Sequence, residues 1–160
     1  MARLSVRLSV ALSVLLVSIA ANSAPLASSY KSILNINSLF KGTKTCPTNW
    51  IPIGDSGDGI DSFGTKLTLS EQFCANPSTG QFFGQFKIAH SSKDVYFGDF
   101  SGTFVPSGEI FDVHATWRIT GGKGQFANLH GAGTGKGTAS VVNGGPGPGS
   151  VLLDGSVLAQ

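Results

Sequence analysis

The sequence predicts an all-β protein that folds as one small, closed antiparallel barrel of about eight strands. Three observations lead to this prediction: the 160 residues suit one domain, apolar and polar side chains alternate over most of the chain, and glycine is abundant at 22 residues. Successive side chains of a strand point to opposite faces, so this alternation is typical of half-buried strands. The alternative arrangement of such strands is a two-sheet β-sandwich.

Eight segments, separated by short loops rich in Gly, Pro, Ser and Asn, show the strand pattern. Short loops of this kind favour antiparallel neighbours in a meander. Residues 63–73 are representative, because Leu67, Leu69, Glu71 and Phe73 fall on one face. In chain order the candidates are residues 32–40, 49–53, 63–73, 82–89, 96–104, 110–120, 130–142 and 151–158.

Glycine at every second position favours a barrel over a sandwich. Gly131, Gly133, Gly135 and Gly137 leave one face of a strand without side chains. Such a face permits sharp coiling and lets bulky neighbours fill the space. A glycine-rich run at residues 144–149 is expected to form the last loop.

The first 23 residues read as a secretory signal peptide, which leaves residues 24–160 as a single domain. Arg3 and Arg7 precede an apolar stretch over residues 8–21, and small residues offer cleavage between positions 20 and 24. The protein is therefore expected to be secreted, to the extracellular space or the periplasm. An organelle transit peptide is the weaker alternative, because this stretch is apolar all round rather than amphipathic. No second stretch is long enough for a membrane span.

Charge excludes a nucleic-acid-binding function. The chain has 11 basic and 9 acidic residues, and removal of Arg3 and Arg7 balances the two. A nucleic-acid-binding surface needs a basic patch, and the sequence shows none.

Cys46 and Cys74 are the only cysteines, and in an oxidising compartment a structural disulfide is the expected outcome. Closing a loop of about 28 residues stabilises the fold by roughly 3–4 kcal/mol on the chain-entropy model. Neither cysteine belongs to a Cys-x-x-Cys motif or has a histidine at ligand spacing, so redox and metal roles lack support.

No cofactor or metal is expected from the remaining motifs. Residues 122–127 match G-x-G-x-x-A, but a strand rather than a helix follows. Asp55, Asp58 and Asp61 lie among turn residues and are expected to form a solvated loop, since the calcium-loop pattern fails. His90 and His130 are expected at the surface, because no histidine pair has metal-ligand spacing.

Asp112, His114 and Arg118 are the weak catalytic candidates, because they share one strand face. Alternate strand residues lie about 7 Å apart, so an Asp and a His could transfer protons across a small substrate while an Arg holds a carboxylate. The competing interpretation is a solvated outer face, since the opposite face of the same strand is apolar.

The aromatic residues suggest an apolar cavity. Eleven Phe, two Trp and two Tyr are more than a closed eight-stranded core obviously needs. If the interior is not fully packed, some of them line a site for one small ligand. The candidates for this lining are Phe100, Phe104, Phe111 and Trp117.

Residues 96–131 resemble the second half of allene oxide cyclases and, in a Gly-rich turn, the plant dirigent proteins. The similarity runs from Tyr96-Phe-Gly-Asp-Phe-Ser-Gly through Trp117-Arg-Ile-Thr-Gly-Gly-Lys-Gly-Gln-Phe-Ala to Gly131, and it is closest to uncharacterised secreted members. The resemblance implies an eight-stranded, calycin-like barrel. In it Gly121, Gly122 and Gly124 would form a tight turn at positive φ, and Phe126 would plug the barrel.

Two functions follow as expectations. The first is a secreted barrel without identifiable catalysis, which binds a hydrophobic small molecule or acts as an extracellular interaction module. The second, implied by the resemblance, is a cofactor-free cyclase or isomerase that acts on a reactive lipid or polyketide inside the barrel. The two differ in whether an ionisable side chain points into the barrel, and the oligomeric state is left open.

Overall fold

A computed structural model describes residues 27–142 and 145–159 of the chain. The predicted signal peptide, residues 1–23, lies outside the described residues. The strands are β1 (Ser28–Lys41), β2 (Ile51–Asp61), β3 (Lys66–Ala75), β4 (Gln81–Ala89), β5 (Val95–Ser107), β6 (Ile110–Lys123), β7 (Leu129–Val142) and β8 (Gly145–Ala159). A single 3-10 turn, Gly124–Phe126, connects β6 to β7.

Each strand pairs antiparallel with the next, and β8 pairs with β1, so the sheet closes on itself. The predicted closed barrel of eight antiparallel strands is confirmed, and the sandwich is excluded. Register shifts in the β1–β2, β5–β6 and β7–β8 pairings mark irregularities of the kind that let a sheet coil tightly. In the described part of the chain no helix has the length and apolarity needed to cross a membrane.

The two ends of the barrel differ. One of them, called here the closed end, is filled by the packed rings of Tyr30, Phe63, His90, Tyr96 and Phe126. The opposite end, called the cavity end, carries the segments that join β1 to β2, β3 to β4, β5 to β6 and β7 to β8. The closed end is therefore filled by packed rings among the described residues.

Aromatic rings pack on glycines inside the barrel. The Trp117 indole covers Gly133 and Gly155, since a Cβ at either position would lie 2.6 Å from Trp117 Cζ2. Gly133 pairs with both Trp117 and Gly155 across the sheet, so the three residues form one row. The glycine face of β7 thus provides the room for a large ring, as the alternation of glycines predicts.

Two segments that the sequence predicts as loops are strands. Residues 55–61 belong to β2, and Asp55 and Asp61 are buried in the barrel interior instead of lying in a solvated loop. Pro146 and Gly149 belong to β8, although residues 144–149 are expected to form a loop. In both segments glycine at alternate positions leaves no apolar side chain to reveal the alternation.

The predicted disulfide is confirmed, since Cys46 bonds to Cys74. Cys74 is fully buried at the end of β3, and Cys46 lies in the segment between β1 and β2. In the same segment Trp50 contacts the outward ring of Phe83 on β4, with centroids 5.1 Å apart. The bond therefore holds this long connection against the outside of the barrel.

Replacement of Gly133 by Ala tests the packing of Trp117. A Cβ there would lie 2.1 Å from the Asp154 carbonyl oxygen as well as against the indole, and both obstacles are fixed. We expect Gly133→Ala to lower the free energy of unfolding by about 1–3 kcal/mol and to shift the tryptophan emission. Chemical denaturation followed by fluorescence measures both effects.

Gly135→Ala is the matched control on the same face of β7. Its Cβ would meet only side-chain atoms, the nearest being Leu153 Cδ2 at 3.0 Å. It should cost less than about 1 kcal/mol, since flexible side chains can give way. Equal losses in the two variants would show that the indole does not depend on Gly133.

Candidate functional site

The barrel encloses a cavity of about 80 Å³ between the closed end and the cavity end. Its wall is almost entirely apolar. All eight strands contribute residues to it, from the part of each strand that lies outside the closed end. Leu39, Phe104 and Pro146 border both this cavity and a larger outer depression of about 780 Å³ at the cavity end. These three residues therefore form the boundary between the cavity and the outer depression, and this boundary is called the mouth.

The predicted ligand-lining aromatics lie in or beside this cavity. Phe100, Phe104 and Trp117 line the cavity itself. Phe111 lines the outer depression and contacts Phe104, with ring centroids 6.0 Å apart. Two of these four aromatic residues, Phe111 and Trp117, come from the inward face of β6.

Two carboxyl groups face each other in the cavity wall. Asp55 on β2 and Glu71 on β3 are directly paired across the ladder, and both line the cavity. Asp55 is only 4% exposed, and its Oδ1 has no hydrogen-bond partner. Among the described residues it is the one buried side-chain polar atom left in that condition.

Burial alters the acidity of both groups. Loss of hydration raises the pKa of Asp55 to about 6, partly offset by a hydrogen bond with Glu71. Burial raises the pKa of Glu71 well above its usual range, and the nearby charge of Asp55 raises it further. Above about pH 6 Asp55 therefore carries a negative charge, and that charge favours the protonated form of Glu71.

Asp112, His114 and Arg118 lie on the outside of the barrel, away from the cavity. His114 and Arg118 are exposed, and Asp112 is half-buried on the same outward face of β6. Arg118 Nη2 donates to Asp99 Oδ2 at 3.1 Å in an exposed ion pair. None of the three lines the cavity, so they lie on the solvated outer face of the competing interpretation. The structure does not bring them to a ligand in the interior.

The turn that the resemblance implies is shorter than expected. Gly124 alone among the three glycines has a positive φ, at 65°, and it begins the 3-10 turn. Gly121 and Gly122 instead continue β6 as extended backbone. Phe126 is buried at the closed end, where its ring lies 5.2 Å from that of Tyr96.

A second polar cluster lies at the closed end and centres on Asp61. The Tyr96 hydroxyl donates to Asp61 Oδ2 at 2.8 Å, and His90 Nε2 lies 3.0 Å from the same oxygen. The backbone N–H of Phe63 donates to Asp61 Oδ1 at 3.0 Å. Tyr30 extends the cluster through a 2.7 Å contact with the Tyr96 hydroxyl, and burial raises the pKa of Tyr30 to about 12.

The expectation that His90 lies at the surface is wrong. Its side chain is 4% exposed, because it packs against Phe126 and Asp61, and its Nδ1 contacts the Thr65 hydroxyl. Every buried polar atom of this cluster has a partner among the described residues, and none of the cluster's residues lines the cavity. Its arrangement therefore supports a structural role in sealing the closed end.

Metal binding finds no support in the described part of the chain. No group of three or more His, Cys, Asp and Glu side chains is placed there to hold a metal ion. The cavity itself offers only the two paired carboxyl groups, and hard cations such as Ca²⁺ require about six to eight oxygen ligands.

Substitution of Asp55 by Asn tests the burial of the pair through the pH dependence of stability. Because its pKa rises on folding, the stabilising proton is bound below about pH 4 and is lost as the pH approaches 6. Wild-type stability should fall over this window, whereas Asn does not titrate. We expect the free energy of unfolding of the variant to exceed that of wild type by about 1–3 kcal/mol at pH 8 and only slightly at pH 4. Urea unfolding at the two pH values measures the difference.

Asp94→Asn is a control of opposite sign. The pKa of Asp94 is lowered by hydrogen bonds from the Gln125 backbone N–H and the Ser91 hydroxyl. The stabilising effect of Asp94 is present above its unfolded pKa and is lost as the pH falls. The free energy of unfolding of this variant should therefore fall further below that of wild type at high pH than at low pH. A difference for Asp55→Asn that is constant with pH would contradict the proposed burial of the charge.

Comparison with protein-family models, with curated proteins and with solved structures gives no match to this chain.

Proposed function

We propose that this protein is a small-molecule-binding barrel that takes an apolar ligand into its interior. The observation that carries the proposal is the apolar cavity, which adjoins the outer depression at Leu39, Phe104 and Pro146, while packed rings fill the opposite end of the barrel. Small barrels of eight strands either fill their interior or hold one small ligand, and this one leaves space.

The size of the cavity selects the class of ligand. About 80 Å³ is enough for a few water molecules or a short hydrocarbon chain. Drug-sized ligands occupy pockets of roughly 300–1,000 Å³, so a larger molecule would have to extend through the mouth into the outer depression. The size therefore favours a slender ligand with a single chain over a fused ring system.

Filling the cavity tests the proposal. Ala115 lines the cavity, and Thr116 is its exposed neighbour on the outside of β6. We expect Ala115→Leu to weaken the binding of 1-hexanol at least tenfold, because the added side chain occupies the ligand's space. Titration of the purified protein with 1-hexanol, followed by NMR shifts of methyl groups, measures the affinity.

Thr116→Leu is the matched control, since it adds a leucine side chain to the same strand on the outer face. It should bind 1-hexanol as wild type does. Equal binding by wild type and Ala115→Leu would place the alcohol outside the cavity and refute the proposal. A barrel that binds no apolar probe would suit the other expectation, an extracellular interaction module.

A second candidate function is the cofactor-free cyclase or isomerase that the resemblance to allene oxide cyclases implies. The observation in its favour is the carboxyl pair, which has a proton to give and a base to receive one in apolar surroundings. Incubation with a fatty-acid epoxide, followed by chiral analysis of the product, tests it. Turnover that survives both Asp55→Asn and Glu71→Gln would exclude acid–base catalysis by the pair.

Secretion belongs to the same proposal. Its support is the signal-peptide pattern of residues 1–23 together with the oxidised Cys46–Cys74 pair, which is typical of oxidising compartments. Expression of the full chain and N-terminal sequencing of the exported protein should give a start between residues 21 and 25. Retention of the uncleaved chain inside the cell would contradict it.

A further inference from the structure

The carboxyl pair in the cavity wall has unused hydrogen-bonding capacity. Asp55 Oδ1 is buried without a partner, while the interior acid at the closed end, Asp61, accepts hydrogen bonds on both of its oxygens. A buried acceptor that lacks a donor costs free energy, and native structures rarely leave one in that state. Asp55 therefore points to a donor that a ligand brings into the cavity.

The charge of the pair also lacks a counterion. Of the described residues that line the cavity, none is Lys, Arg or His. Thr138 also borders the cavity, but it is exposed and pairs with Asp112 on the outward face of the sheet. Across the ladders, Asp55 faces Leu39 on β1 and Glu71 faces Phe86 on β4. The ion pairs found in the described structure involve Asp61, Asp99 and Asp154, and none of them reaches the cavity.

A cation bound at the pair would correct both deficits at once. A single negative charge in an apolar enclosure is unfavourable unless it is paired and hydrogen-bonded. An alkylammonium group carries a positive charge and three donors, so it can bond Asp55 Oδ1 and the Glu71 carboxyl together. An alcohol supplies one donor and no charge, and a carboxylate would meet repulsion.

We propose that the cavity is a binding site for a small apolar amine, whose ammonium group is held by Asp55 and Glu71 and whose hydrocarbon part fills the apolar remainder of the cavity. This inference rests on the proposed binding of an apolar ligand and names the chemical class of that ligand.

The test compares three probes of equal chain length: hexylamine, 1-hexanol and hexanoate. Isothermal titration calorimetry on the full folded domain at pH 8 measures the dissociation constant of each. We expect hexylamine to bind at least tenfold more tightly than 1-hexanol, and hexanoate to bind most weakly. Asp55→Asn should reduce hexylamine to the affinity of 1-hexanol while leaving 1-hexanol unchanged, and Glu71→Gln provides a second variant of the same pair.

Asp112→Asn is the matched control, because it removes a carboxyl group from the outer face of β6. It should leave hexylamine binding as in wild type. A further arm lowers the pH from 8 to 5, where hexylamine keeps its charge but the pair takes up a proton. Hexylamine should then bind more weakly, and no other titratable side chain of the described residues lines the cavity.

The outcomes distinguish the amine site from the proposed binding of an apolar ligand. Equal affinities of hexylamine and 1-hexanol in wild type, or hexylamine binding that survives Asp55→Asn and Glu71→Gln, would overturn the amine site and leave the apolar-ligand proposal intact. Failure of hexylamine and 1-hexanol alike to bind would overturn both.

Discussion

The narrow interior of an eight-stranded barrel limits how much side-chain volume the inward faces can carry. This chain places many rings there, and several of the large rings lie against glycine on a neighbouring strand. Trp117 lies over Gly133 and Gly155, Phe86 approaches Gly98, and a Cβ at Gly102 would meet the ring of Phe82. These three rings also line the cavity, so the glycines beside them set how closely the rings approach the wall and how much space is left. The packing of the interior and the candidate site therefore depend on one constraint.

The two buried aspartates, Asp55 and Asp61, have different surroundings. Asp61 has a tyrosine, a histidine and a backbone amide as partners, so it acts as the centre of a satisfied polar cluster. Asp55 has another carboxyl group as its neighbour and an oxygen without a donor. The same residue type thus stabilises one end of the barrel and creates an unsatisfied charge near the other, and only the second arrangement suits ligand binding.

Alternation over residues 63–120 is enough to predict most of the strands, because apolar side chains occupy every second position. It fails in β2, where the inward positions carry Asp and Gly, and at the start of β8, where Gly and Pro alternate. Glu71 had a visible signal, since it shares a face with Leu67, Leu69 and Phe73. Its partner Asp55 had none, because the pair depends on the register between two strands. The cluster around Asp61 depends in the same way on three strands and the connections between them.

The pairing of β1 with β8 joins the first strand to the last, and this has consequences for how the chain folds. Contacts between residues so distant in sequence are costly to form, and folds rich in them fold slowly. Until β8 has been synthesised, β1 and β7 both present unpaired edges, which are sites for association with other chains. Cys46 and Cys74 both precede β4, so their bond can restrict the first three strands while the barrel is still open. Oxidation during synthesis would then shorten the search that ends with closure.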